Sequence, residues 1–262
     1  MSAAPPDTEP PENPISERVP TLDGYGGVPR TAARGIEIVV AIFVVLGLVL
    51  IGTLIVAAID PTIGDADDET SDGGALGLQA IFELSFAAAA IGAATFANRS
   101  GLREGLRRLG LRKPSGPVVS TVLIAVAAYA VSALALTALL QPEQKDIAES
   151  LGADADSALL VTIVAGILIA PVTAFCEELF FRGLLFGGMR QRLPLWPAAI
   201  ASGMIFGALH LTAGDLGVAL QLSILGAIFA WTYERSGSLW VPISLHLLNN
   251  TIAFISLISD SV

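Results

Sequence analysis

FCEELFFRGLL, Phe175 to Leu185, lies at the end of an apolar run over residues 158 to 181. At about 1.5 Å per residue such a run crosses a hydrocarbon core of about 30 Å as one helix, which places the adjacent acids Glu177 and Glu178 at membrane depth. An ionised side chain there costs about 2.5–3.5 kcal/mol even on permissive insertion scales, so it normally faces a bundle interior or a water-filled cavity. Two histidines occur in the chain, His210 and His246, and both also lie in strongly apolar stretches. The expectation is an all-α, multipass transmembrane helical bundle with an internal polar site.

Composition agrees: 53% of residues are hydrophobic and 15% charged, with a mean hydropathy of +0.71, whereas soluble domains carry more charge. Working outward from residues 158–181, further apolar runs cover about residues 38–59, 75–97, 118–140, 197–211, 216–233 and 239–258, the 197–211 run being short. This makes seven spans. An eighth is expected if Gly183, Gly187 and Gly188 mark where the fourth span leaves the bilayer and an extra short helix begins.

The first apolar run comes after some 35 largely polar residues and is too long for a signal-peptide core, so no cleaved signal is expected. Those residues hold seven of the fifteen prolines and little that could build a core, so residues 1–35 are expected to form a disordered tail. Residues 36–114 then comprise the first two spans and a basic loop, and residues 115–262 a catalytic transmembrane core.

The net charge is −10, but the arginines and acids are segregated. Arg30, Arg34, the Arg99–Lys113 loop, the Arg190/Arg192 turn and Arg235 fall on one side of the alternation. Asp60 to Asp72 and Glu143 to Asp156 fall on the other. The positive-inside rule puts the N-terminus in the cytoplasm and the C-terminus outside a cell membrane. Within the basic loop Leu102, Leu106 and Leu109 recur at helical spacing, predicting a short helix on anionic lipid. The same arginines already account for topology, so a nucleic-acid role is not expected. A single cysteine, Cys176, excludes intrachain disulfides and cysteine metal clusters.

Helical geometry separates Glu177 and Glu178 by roughly 100°. Arg182 stands four residues after Glu178, the favourable order for an acid–base pair. That pairing leaves Glu177 facing another helix with no local counter-ion, a carboxylate suited to accept and return a proton. Phe206 and His210 share a face, as do His246 and Asn250, with Asn249 turned away. Each motif alone has a bland reading: acids snorkelling at a helix end, a packed histidine, an asparagine bonding between helices. Against three separate bland readings stands the hairpin through Pro194, which brings Glu177 and His210 to matching depth. Kinks at Pro171 and Pro242 would open room for a substrate chain.

The three motifs, Glu177-Glu178-x-x-x-Arg182, Phe206-x-x-x-His210 and His246-x-x-x-Asn250, in order and in separate spans, resemble the CPBP intramembrane proteases, which join CAAX prenyl endoproteases to bacterial Abi-type proteins. The resemblance covers roughly residues 115–258. It implies peptide-bond hydrolysis in a cavity open to the cytoplasm, with Glu177 as general base helped by His210. His246 and Asn250 would stabilise the oxyanion or hold the site, and Glu178 and Arg182 would support it. Glu177, His210 and His246 could equally ligate zinc, although the HExxH spacing is absent.

Two other chemistries remain open. Ser202 with His246 is a rhomboid-like pairing, against which Ser202-Gly203 is more often a close-packing pair between membrane helices. Cys176 could act as a nucleophile, but such a cysteine in an apolar helix is usually inert. A membrane adaptor or a proton-coupled transporter could use the same buried residues, with Glu83 as a further relay member, although no internal repeat favours a transporter. Twelve arginines against two lysines suggest a GC-rich bacterial genome, which favours peptide or membrane-protein processing over prenylated substrates.

Overall fold

The computed structural model describes residues 35–60, 62–63, 70–96, 99–142, 159–211 and 214–260. The expected N-terminal tail and most of both acidic loops lie outside these residues.

Among the described residues eight helices succeed one another: α1 (Gly35–Ile59), α2 (Asp72–Phe96), α3 (Leu102–Leu109), α4 (Val118–Leu140), α5 (Leu159–Met189), α6 (Leu195–Leu209), α7 (Leu216–Ser236) and α8 (Trp240–Asp260). The architecture is the expected all-α multipass membrane bundle. Of these helices α1, α2, α4, α5 and α7 are long and apolar enough to cross a membrane, and α6, at 15 residues, is the short fifth run. Helix α5 does not stop at Gly183. It continues to Met189, because Gly183 is pressed against the backbone of α3, where an added Cβ would lie 2.9 Å from Leu109 O.

Apolar side chains of α1 and α4 point outward, among them Phe43, Leu54, Val119 and Leu134. Water does not stabilise such a surface, whereas lipid chains do. Inside, Phe86 of α2 meets Phe180 and Phe181 of α5 at ring-centroid distances of 5.0 and 5.4 Å, and Phe181 meets Phe206 of α6 edge-on at 5.1 Å. Phe86 and Phe206 line the polar site, and Phe180 and Phe181 pack against them in the core.

Helices α6 and α7 approach closely because glycines face each other. An added Cβ at Gly226 would lie 2.9 Å from Gly203 Cα, and one at Gly203 or Gly207 would collide with Ser223 of α7. This small-residue seam is a common membrane packing device, driven by van der Waals contact and close backbone approach. It carries Phe206 and His210 to the wall of the site.

Helix α3 forms where Leu102, Leu106 and Leu109 predicted it. Leu109 and Gly105 are buried against the protein, while Leu102 is exposed. Several basic side chains of the loop bond within the chain: Arg107 and Arg108 meet Glu104 at 2.8 and 2.9 Å, and Arg112 Nε donates to Gly237 O at 2.7 Å. The guanidinium of Arg107 holds the Glu104 carboxyl below the ordinary carboxylate range. Gly110 comes next with φ of 106°, a conformation that suits glycine, and its bare Cα admits Tyr233. The Tyr233 hydroxyl donates to Leu109 O at 2.9 Å.

Candidate active site

Helix α5 is irregular around the two acids. Leu168–Val172 and Leu179–Phe186 are π-helical, and one α-helical stretch, Thr173–Glu178, lies between them. Such wide turns recur at functional sites, since each adds a residue to the ladder and re-aims the side chains beyond it. The cause of the first is Pro171, which has no N–H and disturbs the carbonyls one turn back. Two carbonyls of this turn gain side-chain donors: the Thr173 hydroxyl donates to Leu168 O at 2.9 Å, and the Asn250 amide of α8 donates to Ile169 O at 2.9 Å. At Pro171 the chain takes a π turn. Pro242 produces none, because it falls in the first turn of α8, where a missing N–H leaves no ladder bond unmade.

The Glu178–Arg182 pair forms at 2.6 Å with both side chains fully buried. Arg182 Nη2 also donates to Gly226 O at 3.3 Å, and its guanidinium stacks 4.5 Å from the Phe206 ring centroid and 5.1 Å from that of Phe229. A buried ion pair needs such additional contacts to offset the loss of hydration. The arginine thereby joins α5, α6 and α7 at one point.

His246 of α8 enters between the two acids. Its Nδ1 lies 3.0 Å from Glu178 Oε1, and its Nε2 lies 3.6 Å from Glu177 Oε2. A carboxylate oxygen accepts, so Nδ1 carries hydrogen and donates to Glu178. That leaves Nε2 and the Glu177 oxygen facing each other with room for one proton between them. Glu177 Oε2 has no hydrogen-bond partner although the residue is 3% exposed.

His210 caps the end of α6, and its Nδ1 donates to Phe206 O at 2.8 Å. Its Nε2 is consequently the nitrogen that can accept. Asn250 is turned to Ile169 O, and its Oδ1 accepts from Asn249 Nδ2 at 3.2 Å. Asn249, expected to face away, shares the cavity wall with Asn250.

Glu177, His210, His246 and Asn250 all line one cavity of about 700 Å³. Glu178 and Arg182 stand behind it. Sequence spacing offered no means of placing Gln79 and Glu83 of α2 or Tyr129 of α4 on this wall, yet all three line it. An acid among apolar residues at position 83 was the one usable signal.

The three potential zinc ligands do not form a ligand set. Among the described residues no three His, Cys, Asp or Glu side chains converge to hold a metal ion, and His246 presents its nitrogens to the two glutamates. Ser202 does not reach His246 either: its hydroxyl donates to Phe181 O at 3.3 Å, a bond between helices. Cys176 is buried in the apolar core.

The motif residues gathered here fall within one stretch of known family character. Residues 157–252 match the family of Rce1-like type II CAAX prenyl endopeptidases. The resemblance drawn from the three motifs is borne out, over a shorter segment than residues 115–258. All seven motif residues lie in the Rce1-like segment, whereas α1 to α4 lie before it. Among curated proteins the chain is 32% identical over 102 residues to "Putative membrane peptidase YdiL" of Bacillus subtilis, covering 39% of each chain. It is 27% identical over 99 residues to an uncharacterized 24.3 kDa protein of Escherichia coli, covering 37% of this chain and 44% of that one. It is also 32% identical over 96 residues to the uncharacterized protein YyaK of Bacillus subtilis, covering 34% and 31%. The matches thus span about two fifths of the length of these relatives. No solved structure matches.

Proposed function

We propose that this protein is an intramembrane endopeptidase that cleaves a peptide bond of a peptide or membrane-protein substrate with a water activated by Glu177. The observation that carries this reading is Glu177 Oε2, without a hydrogen-bond partner and 3.6 Å from His246 Nε2, on the wall of a cavity shared with His210 and His246. The Rce1-like match over those residues and the membrane-peptidase relative support the same class.

In this reading a water between Glu177 and His210 gives its proton to Glu177, while His210 Nε2 accepts its second hydrogen and aims it. The resulting hydroxide adds to the substrate carbonyl carbon. His246, carrying hydrogen on Nε2 as well as on Nδ1, hydrogen-bonds the developing oxyanion through Nε2–H and keeps its proton, and a fixed donor of this kind stabilises such charge strongly. Collapse of the tetrahedral adduct breaks the C–N bond, and the proton held by Glu177 passes to the leaving amine. Glu178 and Arg182 fix the ring plane of His246. Asn250, expected to help hold the site or bind the oxyanion, takes the holding role because its amide is spent on Ile169 O. Among the described residues no ligand set converges, and this scheme routes no step through a metal.

The charge segregation supports a cytoplasmic N-terminus and anionic lipid at residues 99–113. In that orientation the lining residues Thr137, Pro142, Val218 and Phe254, at or just beyond the acidic-loop ends of their helices, support a cavity that opens away from the cytoplasm, in place of the cytoplasmic opening expected from the motifs. Residues 115–262 serve as the catalytic core in this scheme. A cysteine placed at position 68 is expected to react only with reagent outside the cell, and labelling from the cytoplasm overturns the orientation.

The decisive experiment is cleavage of a fluorogenic peptide panel by purified protein in nanodiscs, with Glu177→Ala and His246→Ala alongside and with chelator in a parallel arm. Loss of about 10²–10⁴-fold in each variant is expected, the usual contribution of a positioned acid or base. Unchanged rates in the variants overturn the site. Absence of cleavage throughout favours a membrane adaptor built on the same residues.

A further inference from the structure

Glu83 of α2 lies outside the Rce1-like segment and takes no part in the proposed chemistry. It is 1% exposed, its Oε1 accepts from Gln79 Nε2 at 2.9 Å, and its Oε2 has no partner. Thr173 stands beside it, but that hydroxyl gives its hydrogen to Leu168 O. A buried carboxylate with one oxygen tethered and the other idle is expensive, because the idle oxygen has lost its water without gaining a donor. Both Gln79 and Glu83 line the cavity, on a helix packed against the catalytic helix.

The rest of the wall identifies what the idle oxygen is suited to meet. Among the described cavity-lining side chains Glu83 and Glu177 are acidic and none is lysine or arginine. Arg182, the cation closest to the chemistry, is consumed by Glu178 and Gly226 O behind the wall. A substrate carboxylate would therefore find no lysine or arginine in the wall, and an acidic substrate side chain beside Glu83 would be repelled. A basic side chain would find Glu83 oriented by Gln79, and a volume of about 700 Å³ accommodates it together with the scissile bond.

We infer that Glu83, oriented by Gln79, is a specificity-determining residue that binds a lysine or arginine side chain of the substrate beside the bond to be cleaved. This rests on the peptidase reading for its consequence, though the binding itself is separable from turnover.

The test uses the full chain in nanodiscs with Glu177→Gln introduced to silence cleavage. Dissociation constants are measured for three labelled apolar peptides that differ in one central residue: lysine, methionine or glutamate. The lysine peptide is expected to bind most tightly. Glu83→Gln, which keeps the shape and the Gln79 contact, should weaken it about tenfold, the loss of one charge-assisted hydrogen bond, with the methionine peptide unchanged within about twofold. Gln79→Ala, at a half-buried position, should weaken the lysine peptide alone by a smaller factor, and it decides the matter if Glu83→Gln does not fold. Equal binding of the lysine and methionine peptides overturns the inference, as does equal loss of both in Glu83→Gln or absence of binding by all three. If the parent chain binds the lysine peptide through Glu83 yet cleaves none of the three, the Glu83 assignment stands and the peptidase reading fails.

Discussion

His246 lies 3.0 Å from Glu178 through Nδ1, 68 residues along the chain, and the same Glu178 oxygen accepts from Arg182 at 2.6 Å. Glu178 thus acts as a hinge pin between a cation on its own helix and the imidazole of another. The carboxylate that orients the histidine is itself held still, which is how a supporting residue can govern a reaction it does not touch.

Glu178→Gln keeps the side-chain shape but weakens both contacts, so the ring of His246 loses its fixed plane and the carboxylate that supports its second proton. The expected outcome is a fall in kcat of about 10–100-fold with little change in KM, the usual scale for an orienting partner. Steady-state kinetics on the best peptide decides this, and an unchanged kcat refutes the positioning role.

Arg182 is fully buried and contacts Glu178, Gly226 O and two aromatic rings. Arg182→Met leaves the Glu178 charge buried and unpaired, a change that costs about 3–5 kcal/mol. A marked drop in the thermal unfolding midpoint in detergent should result. Arg182→Lys restores the charge without the planar stack or the second hydrogen bond, so it should recover only part of the loss.

Asn250 separates a structural from a catalytic role. Its amide donates to Ile169 O within the π turn at Pro171 and ties α8 to α5. Asn250→Ala should therefore destabilise the protein by about 1 kcal/mol, the usual net worth of one hydrogen bond. A folding assay that shows no loss, together with a large fall in kcat, would return Asn250 to the oxyanion.

The glycine seam makes a packing prediction. A Cβ at Gly203 meets backbone atoms of α7, with Ala227 N at 2.8 Å, and backbone cannot swing aside as a flexible side chain can. Gly203→Ala is expected to cost about 1–3 kcal/mol and to lower activity as well, because α6 carries Phe206 and His210. Met204→Ala, on the exposed face of the same helix, serves as the control and should change neither.

Much of this protein is written in one-dimensional pattern. Apolar runs marked the long helices to within a few residues of their ends, except that α5 continues to Met189, well past the run ending at residue 181, since hydrocarbon thickness sets a minimum length for a span and not a maximum. The Glu178–Arg182 pair and the separation of Glu177 from it were legible because both depend on the 3.6-residue period of a single helix. The company each side chain keeps across helices was not. His246 lies between two acids, Asn250 is turned to a backbone carbonyl, Asn249 shares the cavity wall, and Glu83 joins that wall from a helix some ninety residues upstream of Glu177. Those placements depend on how closely glycine faces allow helices to approach and on π turns that re-aim α5. They are properties of packing and register, which no local period encodes.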